Sequence, residues 1–248
     1  MRVSCVLILL HGASSRPVER LGFKTPLQVA KTPNLDEITN QGVCGVVDLL
    51  NPGVATTNDI VISSLLGLKG LQIAFHEKYK NTRGSFVCGD ESVSEFCMAT
   101  GMQPILTLDD TNYEKKIAAS KSAFENYSFL FFHINETDRI YDNLDFEALV
   151  EELEEIDDHV IKSFRDWADG NFAMAITCAP TRSPVNGRIT GDPVPIAFWG
   201  RGIRRGTVKR FNESSCAFGE VGRIKAETVV PTLLDLLGLS KKYGITSG

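Results

Sequence analysis

Residues 3–12, VSCVLILLHG, decide the fold class, because a run of apolar side chains ends directly at His11 and Gly12. A short run rich in Val, Ile and Leu is typical of a strand buried in the middle of a parallel sheet. The core of a signal peptide is the alternative interpretation, but the sequence continues from Gly12 into patterns of folded structure. We therefore predict a buried first strand.

Further apolar runs alternate with helical patterns along the chain. The other predicted strands cover residues 44–49, 86–89, 104–108, 128–134, 172–177 and 194–200. The predicted helices cover residues 33–42, 92–100, 113–127, 145–168 and 229–237. This alternation predicts an α/β fold, a three-layer α/β/α sandwich with a mostly parallel sheet, in one domain over residues 1–248.

The composition limits the classes of function. The chain has 248 residues, of which 43% are hydrophobic and 23% charged, and its formal net charge is −5. These values exclude a disordered tail and a collagen-like rod. A mildly acidic chain without a basic patch argues against general nucleic-acid binding, and no stretch reaches the roughly 18 apolar residues of a membrane span. We expect neither nucleic acid nor a membrane as a partner.

Cysteine and histidine are informative through their spacing. The six cysteines include no C-x-x-C pair, so we expect reduced thiols and a cytoplasmic location. The four histidines are too far apart in sequence for an H-x-x-x-H metal site. We expect His133 to be a hydrogen-bonded core histidine and His159 to be partly exposed. Cys178 is interpreted as a small buried residue rather than a reactive thiol. The four histidines are His11, His76, His133 and His159.

Ligands of parallel α/β sheets bind at the carboxyl ends of the strands. Four segments follow predicted strands, and they cover residues 11–16, 52–59, 135–142 and 178–184. We expect the functional site, if the chain has one, to be built from these segments.

Three motifs distributed along the chain resemble those of a known family. KTPLQVAKTPNLDEITNQGVCGVVD (residues 24–48) resembles the amino-terminal signature of archaeal-type, cofactor-independent phosphoglycerate mutases of the alkaline phosphatase superfamily. GDPVPIAFWGRGIRRGTVKRFNESSCAFGEVGRI (191–224) resembles their carboxyl-terminal signature, and FFHINETD (131–138) is similar to their metal-bearing strand end. The three motifs agree in order and approximate spacing. The resemblance implies an alkaline phosphatase-like core.

The resemblance also implies a chemistry that can be compared residue by residue. Enzymes of this family hold two divalent metals, usually manganese or zinc, through Asp and His, and a serine carries the phosphoryl group. In this chain His11 stands where the family has its first metal aspartate. Ungapped counting places Asn58 at the serine, and a slip of one residue would offer Thr57 as a nucleophile instead.

The remaining metal positions depart further from the family. Asp138 matches a metal aspartate, and Asp142 replaces the histidine that follows it. Ala179 and Pro180 stand at the Asp-His pair, and Ile189 stands at the last metal histidine. Each missing ligand removes charge and geometry that the cations need. We therefore expect no bound metal, no cofactor and no catalytic residue.

A second departure concerns the substrate-capping domain that these mutases insert after the nucleophile loop. The corresponding residues 69–84 are too few for a domain, and we interpret them as a short connection. The leading hypothesis is a pseudoenzyme, an inactive homologue retained as a structural or protein-interaction module with a protein partner. We place the partner surface at exposed apolar side chains of residues 68–75.

Two alternatives stay open. One is a residual phosphatase or phosphotransferase that uses a single divalent cation (Mg, Mn or Zn) at His11, Asp138 and Asp142, with Thr57 attacking. The other is a sensor that binds a small phosphorylated ligand. The arginines expected to hold that anion are Arg16, Arg182 and Arg188.

Overall fold

A computed structural model describes residues 4–49, 57–68, 73–80, 82–106, 112–168 and 172–238. Its centre is an eight-stranded sheet with the strand order β4-β3-β5-β1-β6-β7-β2-β8. The strands are β1 Ser4–His11, β2 Val43–Asp48, β3 Gly84–Val87, β4 Gln103–Leu106, β5 Phe129–Ile134, β6 Phe172–Ala179, β7 Val194–Gly200 and β8 Gly222–Lys225.

Helices surround this sheet. In chain order they are α1 Pro26–Val29, α2 Pro33–Gln41, α3 Asn58–Leu65, α4 Phe75–Lys78, α5 Glu91–Ala99, α6 Tyr113–Ala123, α7 Glu136–Asp142, α8 Phe146–Ile156, α9 Lys162–Ala168, α10 Glu213–Cys216 and α11 Val229–Leu236. A π-helical turn, Asp157–Ile161, joins α8 to α9. None of the helices within the described residues combines the length and the apolar character needed to cross a membrane.

The central strands are covered on both faces. Every residue of β1, β5 and β6 is buried, although successive side chains of a strand point to opposite faces of the sheet. Among the strands that the structure describes, β7 alone runs antiparallel to its neighbours β6 and β2. The predicted α/β sandwich with a mostly parallel sheet is thus confirmed, and the run that opens the sequence forms its buried centre.

The structure differs from the sequence-based predictions at several places, and helices α3 and α7 are among the elements that were not predicted. The helix predicted from Asp145 onward is interrupted by the π-helical turn, whose Asp157 carboxylate turns toward α2. Strand β8 was not predicted, because only alternate residues of this edge strand are half-buried and the apolar signal is weak. Leu68 and Phe75, the ends of the predicted partner surface, are buried at 4% and 1% exposure, so these two side chains do not provide it.

Leu68 and Phe75 belong to the hydrophobic core. Their apolar character therefore reflects packing against the sheet, not a surface for a partner. Residues 69–72 and 81 of the predicted short connection lie outside the described residues.

Candidate functional site

Three titratable side chains lie in a row where β3, β5 and β1 approach their carboxyl ends. His11 is the last residue of β1, His133 lies near the end of β5, and Cys88 directly follows β3. His11 Nδ1 and His133 Nε2 are 2.8 Å apart and share a hydrogen bond. The other nitrogen of His133, Nδ1, lies 3.0 Å from Cys88 Sγ. The neighbouring positions of β3, β5 and β1 in the sheet create this row.

Burial keeps the row uncharged at neutral pH. It lowers the pKa of His133 well below its ordinary value of 6.5, and it lowers the pKa of His11 despite the nearby Asp138 carboxylate. Burial also raises the pKa of Cys88 to about 12. A thiol with such a pKa is a hydrogen-bonding group and not a nucleophile. The expectation that His133 is a satisfied core histidine is confirmed.

The end of β1 is pressed against the start of α7. Gly12 has φ +80°, and a Cβ at this residue would lie 2.7 Å from the Cα of Asp138, so only glycine fits. The hydroxyl of Thr137 donates to the carbonyl oxygen of His11. These contacts place Asp138 beside the histidine row.

Arg182 forms ion pairs with the two carboxylates of α7, those of Asp138 and Asp142. Its Nη2 lies 3.0 Å from Asp138 Oδ1, and its Nη1 donates to Asp142 Oδ1 at 2.6 Å. The two aspartates are four residues apart and therefore share one face of α7. The guanidinium also lies over the ring of Tyr141, with its Cζ 5.4 Å from the ring centroid. The Arg182 side chain is only 13% exposed, so this cation is held in place by its surroundings.

The contact to Asp138 is an ion pair without hydrogen-bond geometry. Asp138 Oδ1 and Arg182 Nε are buried and have no hydrogen-bond partner among the described residues. The Asp138 carboxylate is therefore balanced by the charge of Arg182, while its Oδ1 accepts no hydrogen bond from the described residues.

The other positions at which the family holds metal carry hydrocarbon side chains. Ala179 is buried at the end of β6 and is followed by a cis peptide bond to Pro180. Ile189 is 41% exposed and pairs through its backbone with Arg182. None of these three side chains has an atom that could bind a cation.

The predicted nucleophile candidates lie at the start of α3. Thr57 precedes this helix, is exposed and makes no capping hydrogen bond through its hydroxyl, and Asn58 is the first helical residue. Residues 50–56, which include the Pro52-Gly53 pair used for the alignment, lie outside the described residues.

The three arginines proposed as anion ligands do not form one cluster. Arg16 Nε donates to Asp192 Oδ2 at 2.6 Å, and Arg182 is paired with Asp138 and Asp142. Arg188 is exposed. Two of the three cations are thus already neutralised by carboxylates of this chain.

The residues present do not fit a binuclear metal centre. Within the described ranges, no group of three or more His, Cys, Asp or Glu side chains is arranged to hold a metal ion. His11 Nδ1 is engaged by His133, and the Asp138 and Asp142 carboxylates are engaged by Arg182.

Two members of this region were missed by sequence reasoning. Cys88 follows a short strand and shows no motif, so only its position beside β5 reveals it. Glu213 accepts hydrogen bonds from Ser14 Oγ, the Ser15 backbone N–H and Thr25 Oγ1. A capping signal was available for Glu213, since Asn212 caps α10, but nothing local indicates that its carboxylate reaches the loop after β1.

Comparisons with known proteins show similarity in sequence and in fold. A protein of Methanocaldococcus jannaschii named 2,3-bisphosphoglycerate-independent phosphoglycerate mutase 1 is 30% identical over 176 residues, which are 68% of this chain and 42% of that protein. The chain therefore spans less than half the length of this curated relative.

Two solved structures are similar in fold. A protein from Pyrococcus horikoshii has a TM-score of 0.91 at 23% identity, with 99% of both chains covered. A cofactor-independent phosphoglycerate mutase from Thermoplasma acidophilum has a TM-score of 0.72 at 16% identity, with 94% of this chain and 99% of that chain covered.

A family model described as the metalloenzyme superfamily matches residues 3–240, nearly the whole chain. The resemblance drawn from the three sequence motifs is thereby confirmed. The chain belongs to the metalloenzyme superfamily, and its curated relatives are named 2,3-bisphosphoglycerate-independent phosphoglycerate mutases.

Proposed function

We propose that this chain is a phosphoglycerate mutase-like protein that has no two-metal phosphoryl-transfer chemistry and acts as a structural or protein-interaction module. The observation that carries the proposal is the Arg182 guanidinium on the carboxylates of Asp138 and Asp142. An arginine is always charged, and a planar guanidinium matches carboxylates well. In this proposal Arg182 supplies the positive charge that a metal supplies in active relatives.

The physical argument rests on charge and geometry. A binuclear centre brings two divalent cations together, and only several anionic or imidazole ligands make that arrangement stable. Three of the corresponding positions are Ala179, Pro180 and Ile189, which offer no ligand atoms. Outer residues tune a metal site but do not replace missing ligands.

Metal analysis of the purified protein tests the loss of the centre. After incubation with Mn²⁺ or Zn²⁺ and desalting, we expect less than stoichiometric metal and no shift in the melting temperature, because Arg182 competes for the carboxylates. Arg182→Ala removes this competitor, and Arg188→Ala is the matched control at an exposed arginine. Two metal ions bound per wild-type chain would overturn the proposal.

The partner half of the proposal needs an exposed apolar surface, and the described part of the chain offers two exposed phenylalanines. Phe23 is 72% exposed and Phe218 is 86% exposed, which is unusual for large aromatic side chains. Aromatic residues are frequent anchors of protein interfaces. We take these two side chains as the candidate anchors, and the cytosol as the compartment, since all six cysteines are free and buried.

Cross-linking of the complex that the tagged protein forms in its own cells tests the surface. We expect cross-links near Phe23 or Phe218, and weaker retention of the same partner after Phe23→Ala or Phe218→Ala. Val185→Ala is the matched control, because Val185 is also exposed. A monomer that retains no stoichiometric partner would contradict this half of the proposal.

One observation favours a second candidate, a phosphatase with a single divalent cation. Asp138 Oδ1 accepts no hydrogen bond from the described residues, and a hard cation could bind this oxygen if Arg182 moved away. Release of phosphate from p-nitrophenyl phosphate with Mg²⁺, abolished by Thr57→Ala, would support this candidate. The sensor alternative predicts instead that a sugar phosphate raises the melting temperature without being hydrolysed.

A further inference from the structure

A pocket lies at the opposite end of the strands from the family site, by which we mean His11, Asp138, Asp142 and their surroundings. It is a cavity of about 310 Å³ where β3, β4 and β5 begin, and the family site lies where such strands end. The residues that line it and matter here are Phe75, His76, Arg83, Gln103 and Tyr127. This volume is at the lower end of the range for small-molecule pockets.

Arg83 is the charged centre of this pocket. Its Cζ lies 5.4 Å from the centroid of the Tyr127 ring, a cation–π arrangement that orients the guanidinium. No carboxylate of the described residues forms an ion pair with Arg83, unlike Arg16 and Arg182. A guanidinium stacked on a ring keeps its N–H groups available for an anion in its own plane.

The backbone around Arg83 is held firmly. The Arg83 N–H donates to Ser128 Oγ at 3.0 Å, and the Arg83 carbonyl accepts from the N–H groups of Ser128 and Phe129. An arginine on a fixed backbone loses less conformational freedom when it binds a ligand. Arg83 is therefore better prepared for binding than an arginine on a free loop.

The other lining residues of the pocket supply further polar groups and an apolar surface. His76 brings a second nitrogen base, and Gln103 brings an amide. Gly101 has φ +81° and no side chain, and a Cβ there would lie 3.4 Å from His76 Nδ1, so the glycine keeps the space beside the imidazole open. Phe75, which is almost fully buried, forms an apolar floor.

We propose that this pocket binds a small anion that carries one planar ring, with the phosphate or carboxylate on Arg83 and His76 and the ring against Tyr127. The proposal is independent of the proposed function, because it involves no residue of the family site. The anion provides the charge complement that Arg83 lacks among the described residues, and the ring covers the aromatic wall.

Isothermal titration of the full chain tests the proposal with four probes. Phenyl phosphate and benzoate combine a ring with an anion and distinguish the phosphate from the carboxylate source. Inorganic phosphate and phenol each supply one half of the ligand. We expect phenyl phosphate or benzoate to bind, and each half-ligand to bind at least about tenfold more weakly, a factor worth about 1.4 kcal/mol.

Variants locate the binding. Arg83→Ala should weaken binding of the ring-bearing anion at least about tenfold, and Arg83→Lys should weaken it less, since charge remains but the planar fork is lost. Gln103→Phe should also weaken binding by filling the cavity. Lys80→Ala is the matched control, because Lys80 is an exposed cation of the same segment that does not line the pocket, and it should change binding less than twofold.

Three results would overturn the proposal. The first is no binding of phenyl phosphate or benzoate at about 10 mM, a concentration that detects even weak complexes. The second is binding that Arg83→Ala leaves unchanged, since the anion would then lie elsewhere on the chain. The third is inorganic phosphate that binds as tightly as phenyl phosphate, which would leave the ring without a role.

Discussion

Phe23 shows how a single residue can carry conformational strain together with an exposed surface. Its φ is +60°, in the left-handed region that favours glycine, and it lies in a turn where its N–H donates to the carbonyl of Val18. Large side chains avoid this region because Cβ crowds the backbone, at a cost of roughly 1–2 kcal/mol. A strained and exposed aromatic residue is a reason to suspect a function at that residue.

We expect Phe23→Gly to increase the free energy of unfolding by about 0.5–1 kcal/mol, because glycine adopts positive φ without strain and little burial is lost. Urea denaturation measures the change. The matched control is Phe218→Gly, the same substitution at an exposed phenylalanine outside the left-handed region, which should lower stability. A Phe23→Gly protein that is less stable than the wild type would show that the ring makes stabilising contacts.

At the same scale, individual site residues were predictable only where a family motif names them. The motifs located His11, Asp138 and Asp142 at the carboxyl edge of the sheet. They could not reveal Arg182 as the partner of both aspartates, because the ion pair depends on how the loop after β6 approaches α7. Such contacts between distant segments have no local signal.

Among the elements, α2 is stabilised from outside itself. Its N-cap residue Thr32 makes no side-chain capping bond, and the Thr32 hydroxyl oxygen has no partner in the described chain. Asp157 of the π-helical turn replaces this cap. Its carboxylate accepts from the N–H groups of Asn34 and Leu35 at 3.0 Å and 2.8 Å, and from Asn34 Nδ2 at 2.8 Å.

We expect Asp157→Ala to lower the free energy of unfolding by about 2–3 kcal/mol, since it removes a cap and leaves buried donors without an acceptor. Thr32→Val is the control at the neighbouring position, and it should be neutral or slightly stabilising because the hydroxyl has no partner to lose. Chemical denaturation of both variants measures this difference. Equal losses in the two variants would mean that Asp157 does not act as the cap.

The contact between Asp157 and α2 also explains why the start of helix α8 could be predicted from the sequence and its end could not. The apolar spacing from Phe146 onward and the Asp145 cap are local signals, and both are present in the structure. The widening of the helix at Asp157 serves a contact with α2, which a periodic pattern along one segment cannot contain. Strong periodicity predicted the elements, and contacts between elements determined where they bend or stop.

For the molecule as a whole, the order of the strands explains both the stability and the chemistry of the site. The sheet places β3, β5 and β1 side by side, so that Cys88, His133 and His11 form one buried row. The sequence indicates that these strands exist and that they are parallel. Their order in the sheet was not predicted, and the histidine row is a consequence of that order.

This buried row makes the stability of the whole chain depend on pH. Burial lowers the pKa of His133 and of His11 below the ordinary 6.5, so the unfolded chain binds protons more readily than the folded chain as the pH falls below that value. Stability is then present above pH 6.5 and is lost on acidification. Burial acts in the opposite direction on carboxyls such as Glu213, whose raised pKa makes the folded state take up protons first, but their ordinary values near 4.5 place this effect at lower pH.

We therefore expect the free energy of unfolding to fall between pH 7.5 and pH 6.0, by about 0.8 kcal/mol for each histidine that stays neutral in the folded state. Urea denaturation at the two pH values measures the loss. His133→Gln should lower stability at both values and reduce the difference between them by up to half, because one of the two proton-binding groups is then absent. A wild-type stability that does not change between pH 7.5 and pH 6.0 would mean that the folded row binds protons as readily as the unfolded chain, which would require the imidazoles to be reached by water or by an added negative charge.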